Sequence, residues 1–257
     1  MSDDDRKRYW NEQYLEYWRS RVNEAGVGKS KVISGDSNTE DDSVYESVFK
    51  AYGFNAGNLL EVGCAWGRMF PIYKQFGLEI TGVDISKAMI DSAKENWQGD
   101  ASIQQLKESS AEALPFTDSS FDNLACLAVL DATFQNQAIS EFLRVTKPGA
   151  RIYFTGKNDH YYPDDLEAYN AEVGARRKSH PNFFTDTKLL IQLLKEQGHT
   201  IDQFYFFPRR GDFATFTYEE TPERFYEYFL VMTRGDTYSD LPEISDAHSK
   251  TFKELNS

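Results

Sequence analysis

Long apolar runs, cysteines and basic residues are all scarce in this chain of 257 residues. No apolar run approaches the roughly 20 residues that a membrane helix needs, and the N-terminal segment lacks the apolar core of a signal peptide. Two cysteines are too few for a disulfide framework. Acidic residues outnumber basic ones by 41 to 28, so we do not expect the basic face that neutralises nucleic-acid phosphates. These absences predict a cytoplasmic protein with neither a nucleic-acid nor a membrane partner.

Strand-like and helix-like segments alternate along most of the chain. Apolar runs typical of strands lie at residues 58–62, 79–84, 103–107, 121–130, 150–155, 201–207 and 225–232. Helical periodicity separates several of them, and a helix from Pro222 is the alternative for the last run, because the two patterns are hard to distinguish over eight residues. This alternation predicts an α/β fold with a doubly wound, mostly parallel seven-stranded sheet and helices on both faces.

The first strand-like run ends in a small-residue loop that is typical of nucleotide binding. Gly63, Ala65 and Gly67 occupy alternate positions, which lets the backbone approach a ligand closely. Asp84 ends the second run, twenty-one residues after Gly63, where a carboxylate can bind an adenosine ribose. A dinucleotide-binding loop would place its third glycine at position 68, which is Arg68 here. A nicotinamide oxidoreductase is an alternative function for such a loop, and the glycine spacing argues against it.

Four sequence blocks carry a family resemblance, and one of them is the segment 118–122, which leads into the fourth strand as in the family's pattern. The loop Glu61-x-Gly63-x-Ala65-x-Gly67 resembles motif I of the class I S-adenosylmethionine (SAM) methyltransferases. Residues 110–116 resemble the block that passes over the adenine in type 11 methyltransferases, with a serine in place of the usual aspartate. Residues 144–150 resemble the Leu-Lys-Pro-Gly-Gly turn of the family, with alanine as the last residue. The similarity covers residues 58–156 well and residues 185–233 in outline.

The resemblance implies a Rossmann-like methyltransferase fold, SAM as the cofactor and S-adenosylhomocysteine (SAH) as the product. By position, Asp84 would accept hydrogen bonds from both ribose hydroxyls, and Glu61 would orient the loop or reach the methionine amino group. Ile85 and Met89 would flank the adenine. The whole cofactor-binding set implied in this way is Tyr14, Glu61, Gly63, Cys64, Ala65, Gly67, Asp84, Ile85, Met89, Ser110, Ala111, Glu112 and Leu127.

An aromatic helical pattern spans residues 8–22 near the N-terminus. In the family, an N-terminal segment closes over the cofactor, and an aromatic face stabilises a cation such as a sulfonium by about 0.5–2 kcal/mol. We therefore predict a helical lid in which Tyr14 or Trp18 contacts the cofactor; an amphipathic helix packed on the sheet is the alternative. The single predicted domain (1–257) divides into this lid (1–57), a SAM-binding half (58–156), an acceptor-binding insertion (157–184), a C-terminal half (185–233) and a partly ordered polar tail (234–257).

Candidate acceptor and catalytic residues follow the fourth and fifth strands. A hydroxyl acceptor must lose a proton, so His160 and Asp131 are the candidate general bases. The substrate-binding candidates are Asp159, Tyr161, Arg177, His180 and Arg209. Arginines suit anions and the mixed polar residues suit a sugar, although ordinary solvated charge is the alternative.

The predicted function is the transfer of a methyl group to an oxygen or nitrogen of a small polar metabolite, with a sugar or an anionic molecule as candidates. A non-catalytic SAM-binding protein of the same fold is the alternative. No metal is predicted, and the oligomeric state is not indicated.

Overall fold

The computed structural model describes residues 3–13, 41–212 and 221–257, and its elements alternate as predicted. The helices are α1 (Asp3–Arg8), α2 (Asp41–Tyr52), α3 (Phe70–Gln75), α4 (Lys87–Asn96), α5 (Gln135–Val145), α6 (Leu166–Arg177), α7 (Thr187–Glu196) and α8 (Lys250–Leu255). The strands are β1 (Asn58–Val62), β2 (Glu79–Asp84), β3 (Ile103–Glu108), β4 (Phe121–Cys126), β5 (Thr146–Lys157), β6 (Phe184–Thr185), β7 (Thr200–Phe207), β8 (Glu227–Thr233) and β9 (Ser245–Asp246). A π-helical turn (Tyr9–Gln13) follows α1, and a 3₁₀ turn (Leu130–Ala132) follows β4.

The main sheet has seven strands in the order β3-β2-β1-β4-β5-β8-β7. The five strands β1 to β5 pair with one another in parallel, whereas β8 runs antiparallel to both β5 and β7. The chain leaves β1 towards β2 on one side and later returns to β4 on the other, so the strand order reverses between β1 and β4. In open α/β sheets this switch point forms the ligand crevice at the carboxyl ends of the strands. The predicted fold class is confirmed.

Apolar residues on both faces of the central strands explain why helices cover the sheet on two sides. In β1, Leu60 and Val62 belong to a buried cluster that includes Phe142 of α5, while Leu59 belongs to a second cluster with Phe49 of α2. Burying each such side chain contributes about 1.5–3 kcal/mol. Strands buried on both faces are typical of parallel sheets. No helix among the described residues is long and apolar enough to cross a membrane.

Three segments differ from the predictions or decide between alternatives. The run at residues 225–232 forms strand β8, not a helix, because it pairs with β5 and β7. Strand β4 ends at Cys126, four residues earlier than predicted, where Ala128 turns the backbone with a φ of 56°. The polar tail is built into the structure, since β9 pairs with β6 and α8 follows it. The polar composition of the tail suggested partial disorder without deciding it; in the structure, polar partners described below hold these elements.

Candidate functional site

A cleft opens at the carboxyl ends of β1, β2 and β4, where the strand order reverses. It encloses about 1010 Å³, counting the part open to solvent. Its lining combines the loop after β1, the end of β2, the segment after β3, the turn after β4 and two N-terminal side chains. The lining residues are Arg6, Trp10, Glu61, Val62, Gly63, Cys64, Ala65, Trp66, Arg68, Met69, Asp84, Ile85, Ser86, Met89, Ser109, Ala111, Glu112, Leu127, Ala128, Val129, Ala132 and Thr133.

Glycine is required at two positions of the loop after β1, for different reasons. Gly63 has a φ of 77°, and a Cβ there would lie 2.3 Å from Cγ2 of Val129, across the cleft floor. Gly67 has a φ of 82°, and its Cβ would lie 2.4 Å from Nε1 of Trp97, so its role is to let the loop pack on α4. Of the two, Gly63 lines the cleft, whereas Gly67 is outside the lining.

Asp84 fixes the loop and presents a carboxylate to the cleft. Its Oδ2 accepts a hydrogen bond from the backbone N–H of Ala65 (2.9 Å), and its Oδ1 accepts one from Ser86 (2.8 Å). Burial raises the pKa of Asp84 from 3.8 to about 6, although these two hydrogen bonds act to lower it. Each carboxylate oxygen has more than one acceptor position, so two hydroxyls of a bound ribose can still be accommodated.

Glu61 lies beneath the loop, at the inner end of the cleft. Its side chain is buried, and the hydroxyl of Tyr73 donates to Oε1 at 3.1 Å. A buried carboxylate facing a ligand cleft is suited to an ammonium group, because a positive partner offsets the cost of burying its charge. This position is consistent with the predicted contact to a methionine amino group.

The segment after β3 and helix α4 form another wall of the cleft, and some of the residues predicted there line the cleft while others do not. Met89 and Ala111 line the cleft beside Glu112, whereas Ser110 lies outside the lining and bonds to the Glu112 carboxylate. Glu112 also accepts from the backbone N–H of Phe134 at 2.7 Å and forms an ion pair with Arg6 at 2.5 Å. Both partners of that ion pair are almost fully buried. Glu112 therefore anchors the N-terminal segment, a role that the sequence did not indicate.

The N-terminal segment closes one side of the cleft through Trp10. Asn11 supports it, because its Oδ1 accepts from the Ser86 hydroxyl (3.0 Å) and from the Ala88 N–H (3.3 Å) at the start of α4. The predicted aromatic contacts Tyr14 and Trp18 lie outside the described residues. Trp10 belongs to the predicted aromatic pattern, although the predicted cofactor contacts were Tyr14 and Trp18. Nothing in the sequence distinguished the buried Arg6 from its less buried neighbours Lys7 and Arg8.

Most predicted acceptor residues lie away from the cleft. His160 Nε2 is 3.1 Å from Glu254, and Asp159 forms an ion pair with Lys250 at 2.8 Å, so both contact α8 or its start. Tyr161 is buried and donates to Glu172 at 2.7 Å. Arg209 pairs with Asp164 at 2.9 Å, and Arg177 is exposed. None of these five is among the described residues that line the cleft, because the C-terminal segment packs on this part of the chain; the structure gives no support to their predicted roles.

Asp131 and His180 come closer to the cleft. Asp131 follows the end of β4 and forms an ion pair with Lys157 at 2.6 Å. Nδ1 of His180 is 2.8 Å from the Tyr9 hydroxyl, and the His180 and Trp10 ring centroids are 5.4 Å apart. Burial, followed by the charge of Lys157, lowers the pKa of His180 from 6.5 to about 4. Of the predicted catalytic and substrate-binding residues, these two adjoin the wall formed by Trp10.

Comparisons with known proteins agree with this geometry. Residues 60–154 match the family model described as a methyltransferase domain. The malonyl-[acyl-carrier protein] O-methyltransferase of Erwinia pyrifoliae is 35% identical over 102 residues, which are 39% of this chain and 37% of the relative. The O-methyltransferase resE of Aspergillus sclerotiorum is 30% identical over 155 residues, 57% of this chain and 56% of the relative. The alignments thus span about half of these relatives or less.

A solved structure extends the likeness to most of the fold. The magnesium protoporphyrin IX methyltransferase of Synechocystis superposes with a TM-score of 0.58 at 17% identity, covering 91% of this chain and 99% of that protein. At this identity the likeness concerns the fold alone. Together with the match over residues 60–154, it agrees with the resemblance seen in the sequence: residues 60–154 of this chain match a methyltransferase domain, and the fold around them is similar to that of a solved methyltransferase.

Proposed function

We propose that this chain binds SAM in the cleft and transfers its methyl group to an oxygen or nitrogen of a small molecule. One observation carries the cofactor assignment: the Asp84 carboxylate and the glycine loop meet in one cleft, held together by the hydrogen bond from Ala65 to Asp84. A ribose carboxylate next to a close-approach backbone suits an adenosine ligand. The family match also argues against the nicotinamide oxidoreductase alternative.

The chain would contribute mainly by positioning. When bound, SAM supplies a methyl group on a sulfonium: the acceptor atom bonds to the methyl carbon, sulfur keeps the electrons of the broken bond to leave SAH, and an acceptor proton passes to solvent. Glu61 would hold the ammonium end, Asp84 the ribose and Met89 one side of the adenine. Orienting two reactants in this way can supply about 7–11 kcal/mol of the barrier reduction.

Two observations support an acceptor class narrower than the one predicted from the sequence. An anionic or sugar acceptor rested on Arg177, Arg209, Asp159 and Tyr161, and the structure places these residues away from the cleft. Relatives named O-methyltransferases support an oxygen acceptor. A cytoplasmic location, a single domain and an acceptor-binding role for residues 157–184 stay predictions.

Calorimetry with SAM and with SAH tests the cofactor assignment. Asp84→Asn keeps the size of the side chain and removes its charge, so we expect SAH affinity to fall about tenfold or more, as for loss of a charged hydrogen bond. Asp91→Asn is the matched control, because Asp91 is exposed on α4 and forms a surface ion pair with Lys87 one helical turn away. Equal affinity in wild type and Asp84→Asn, or no binding by wild type, would contradict the proposal.

A non-catalytic SAM-binding protein is the second candidate. The observation that favours it is the placement of the predicted bases, since His160 contacts Glu254 and Asp131 is paired with Lys157. SAH release measured during incubation of the SAM-loaded protein with fractionated small metabolites separates the two. SAH formation that depends on one fraction supports methyl transfer, and tight SAM binding without any SAH formation supports the alternative.

A further inference from the structure

A polar group lies at the carboxyl ends of strands β4 and β5, and its residues are not among those that line the cofactor cleft. Asp131, after β4, and Lys157, the last residue of β5, form an ion pair at 2.6 Å. Lys157 also donates to Oδ1 of Asn182 at 2.8 Å. The side chains of Asp131 and Lys157 are 13% and 18% exposed, so the pair is mostly buried but still partly accessible to solvent. A hydroxyl arriving at this pair would meet both a donor and an acceptor group.

His180 completes the group without adding charge. Its Nδ1 is bound by the Tyr9 hydroxyl at 2.8 Å, which fixes the orientation of the imidazole ring. With its pKa lowered to about 4, mainly by burial, the ring is neutral near pH 7. Burial is the largest influence on the pKa of Lys157 and acts to lower it, but the charges of Asp131, Tyr226 and Glu227 and the hydrogen bond to Asp131 together outweigh it. The pKa of Lys157 is therefore raised, and Lys157 stays protonated. The charge of Lys157 offsets that of Asp131 within the ion pair, which leaves the pair itself without net charge.

Half-buried aromatic rings border the polar group. The ring centroid of Trp10 lies 5.4 Å from that of His180, and Trp10 also lines the cofactor cleft. The ring centroids of Phe134 and Phe183 are 5.7 Å apart. The backbone N–H of Phe183 donates to the carbonyl of Asp131 at 2.7 Å. Flat rings at these separations are suited to edge or stacked contact with another ring. The polar group thus adjoins the cofactor cleft through an aromatic border.

We propose that the methyl acceptor binds beside Trp10, against Asp131, Lys157 and His180, and that it is an uncharged compound with a hydroxyl on an aromatic ring. The inference rests on the proposed function and narrows it to one acceptor class. The aromatic border would hold the ring, and the Asp131–Lys157 pair would bind the hydroxyl close to the methyl donor. Tyr9 is then a positioning residue, because it acts on the acceptor only through His180.

Nuclear magnetic resonance of the histidine imidazoles tests this with phenol as the probe. The chain has four histidines, so substitution of each assigns its resonances. In protein saturated with SAH, which blocks the adenosine site, we expect phenol to shift the His180 resonances saturably. The resonances of His199 and His248 serve as internal controls, since His199 contacts Gly235 and His248 lies near Asp246. Uniform or absent shifts would overturn the site.

Charged probes test the acceptor class. Benzoate and benzylamine carry the same ring with opposite charges, and we expect both to bind SAH-loaded protein more weakly than phenol at pH 7. Tighter binding by either one would overturn the assignment of an uncharged acceptor. All three probes present the same benzene ring to the aromatic border, so a difference in affinity reports mainly on the charge of the probe.

Two variants separate a binding role from a merely structural one. Phe183→Leu changes a half-buried residue of the aromatic border that does not line the cofactor cleft, and we expect phenol to bind about fivefold more weakly with little change in SAH affinity. Tyr9→Phe should leave phenol affinity measurable but shift the His180 resonances before any phenol is added. Unchanged phenol binding in Phe183→Leu would overturn the proposal. If wild type fails to bind SAH in calorimetry, the cofactor assignment itself falls, whereas SAH binding without a phenol response overturns the acceptor site alone.

Discussion

At Gly63, both the backbone conformation and the space beside the cleft exclude a side chain. An alanine there would adopt a φ of 77° and also place its Cβ 2.3 Å from Val129. Gly77→Ala is the matched control, because Gly77 has a φ of 69° with nothing within 4 Å of a Cβ. We expect Gly77→Ala to lower the free energy of unfolding by about 1–2 kcal/mol, the cost of the left-handed conformation. Gly63→Ala should cost more and weaken SAH binding, measured by urea denaturation and calorimetry. Equal losses in both variants would show that the contact with Val129 is unimportant.

The raised pKa of Asp84 predicts opposite effects of pH on stability and on cofactor binding. Because its folded pKa, about 6, lies above 3.8, protonation of Asp84 favours the folded chain. This stabilisation is complete below about pH 4 and is lost as the pH rises through about 6. Cofactor binding needs the ionised carboxylate, so SAH affinity should fall about tenfold for each pH unit below about 6. Calorimetry across this range tests it, and the Asp84→Asn variant should not show the same step.

Cofactor residues could be predicted from the sequence more readily than acceptor residues, for a physical reason. The backbone between Gly63 and Asp84 is one strand, helix and strand unit, so local spacing determines their proximity. His160 and Tyr161, in contrast, have partners 94 and 90 residues away in α8, the Glu254 carboxylate and the Thr251 hydroxyl. Which side of a loop faces a cleft depends on such distant packing, and nothing in the local pattern encodes it.

Among the elements, α1 and the π-helical turn after it show how a surface segment becomes part of a site. Arg6 pairs with Glu112 where both are almost fully buried, and removing one partner of a buried pair costs about 3–5 kcal/mol. We expect Arg6→Met to release this segment and to raise the dissociation rate of SAH about tenfold or more in stopped-flow fluorescence. The reason is that Trp10, which follows Arg6 by four residues, would no longer be held over the cleft.

Arg8→Met provides the control for the same helix. Arg8 pairs with Asp5 in a surface contact whose side chains are 62% and 47% exposed, and such pairs contribute little. Its SAH dissociation rate should equal that of wild type. If Arg6→Met also leaves the rate unchanged, the segment is not a lid and the alternative, an amphipathic helix packed on the sheet, is correct.

The C-terminal elements show why the polar tail is ordered. Glu172 of α6 is buried and accepts hydrogen bonds from the Tyr161 hydroxyl (2.7 Å) and from the Ser249 N–H and hydroxyl (3.0 and 2.7 Å). Ser249 also caps α8, since its Oγ accepts from the Phe252 N–H at 2.9 Å. A buried carboxylate is stable only when it is bonded in this way. Composition predicted disorder here because polar residues rarely form a core, but these residues satisfy one buried charge.

At the scale of the whole molecule, alternation of strands and helices was enough to predict the main sheet. Strands such as β1 and β2 are short, buried on both faces and separated by helices, so pattern alone predicts parallel pairing. Pattern could not predict that β8 would insert between β5 and β7. That placement depends on pairing between strands distant in sequence, which a local window does not contain.

The net charge of −13 predicts that salt will affect the two cofactor forms differently. SAM carries one positive charge more than SAH, and the cleft contains the carboxylates of Glu61 and Asp84. An acidic molecule attracts a cation over a distance that shrinks from about 30 Å at 0.01 M salt to about 3 Å at 1 M. We expect SAM affinity to fall about threefold more than SAH affinity between those salt concentrations. Calorimetry with both ligands in one salt series measures the difference, and the product, which has no sulfonium and no net charge, serves as the control. Parallel curves would show that the acidity of the chain serves solubility alone, because the sulfonium charge would then make no difference to binding.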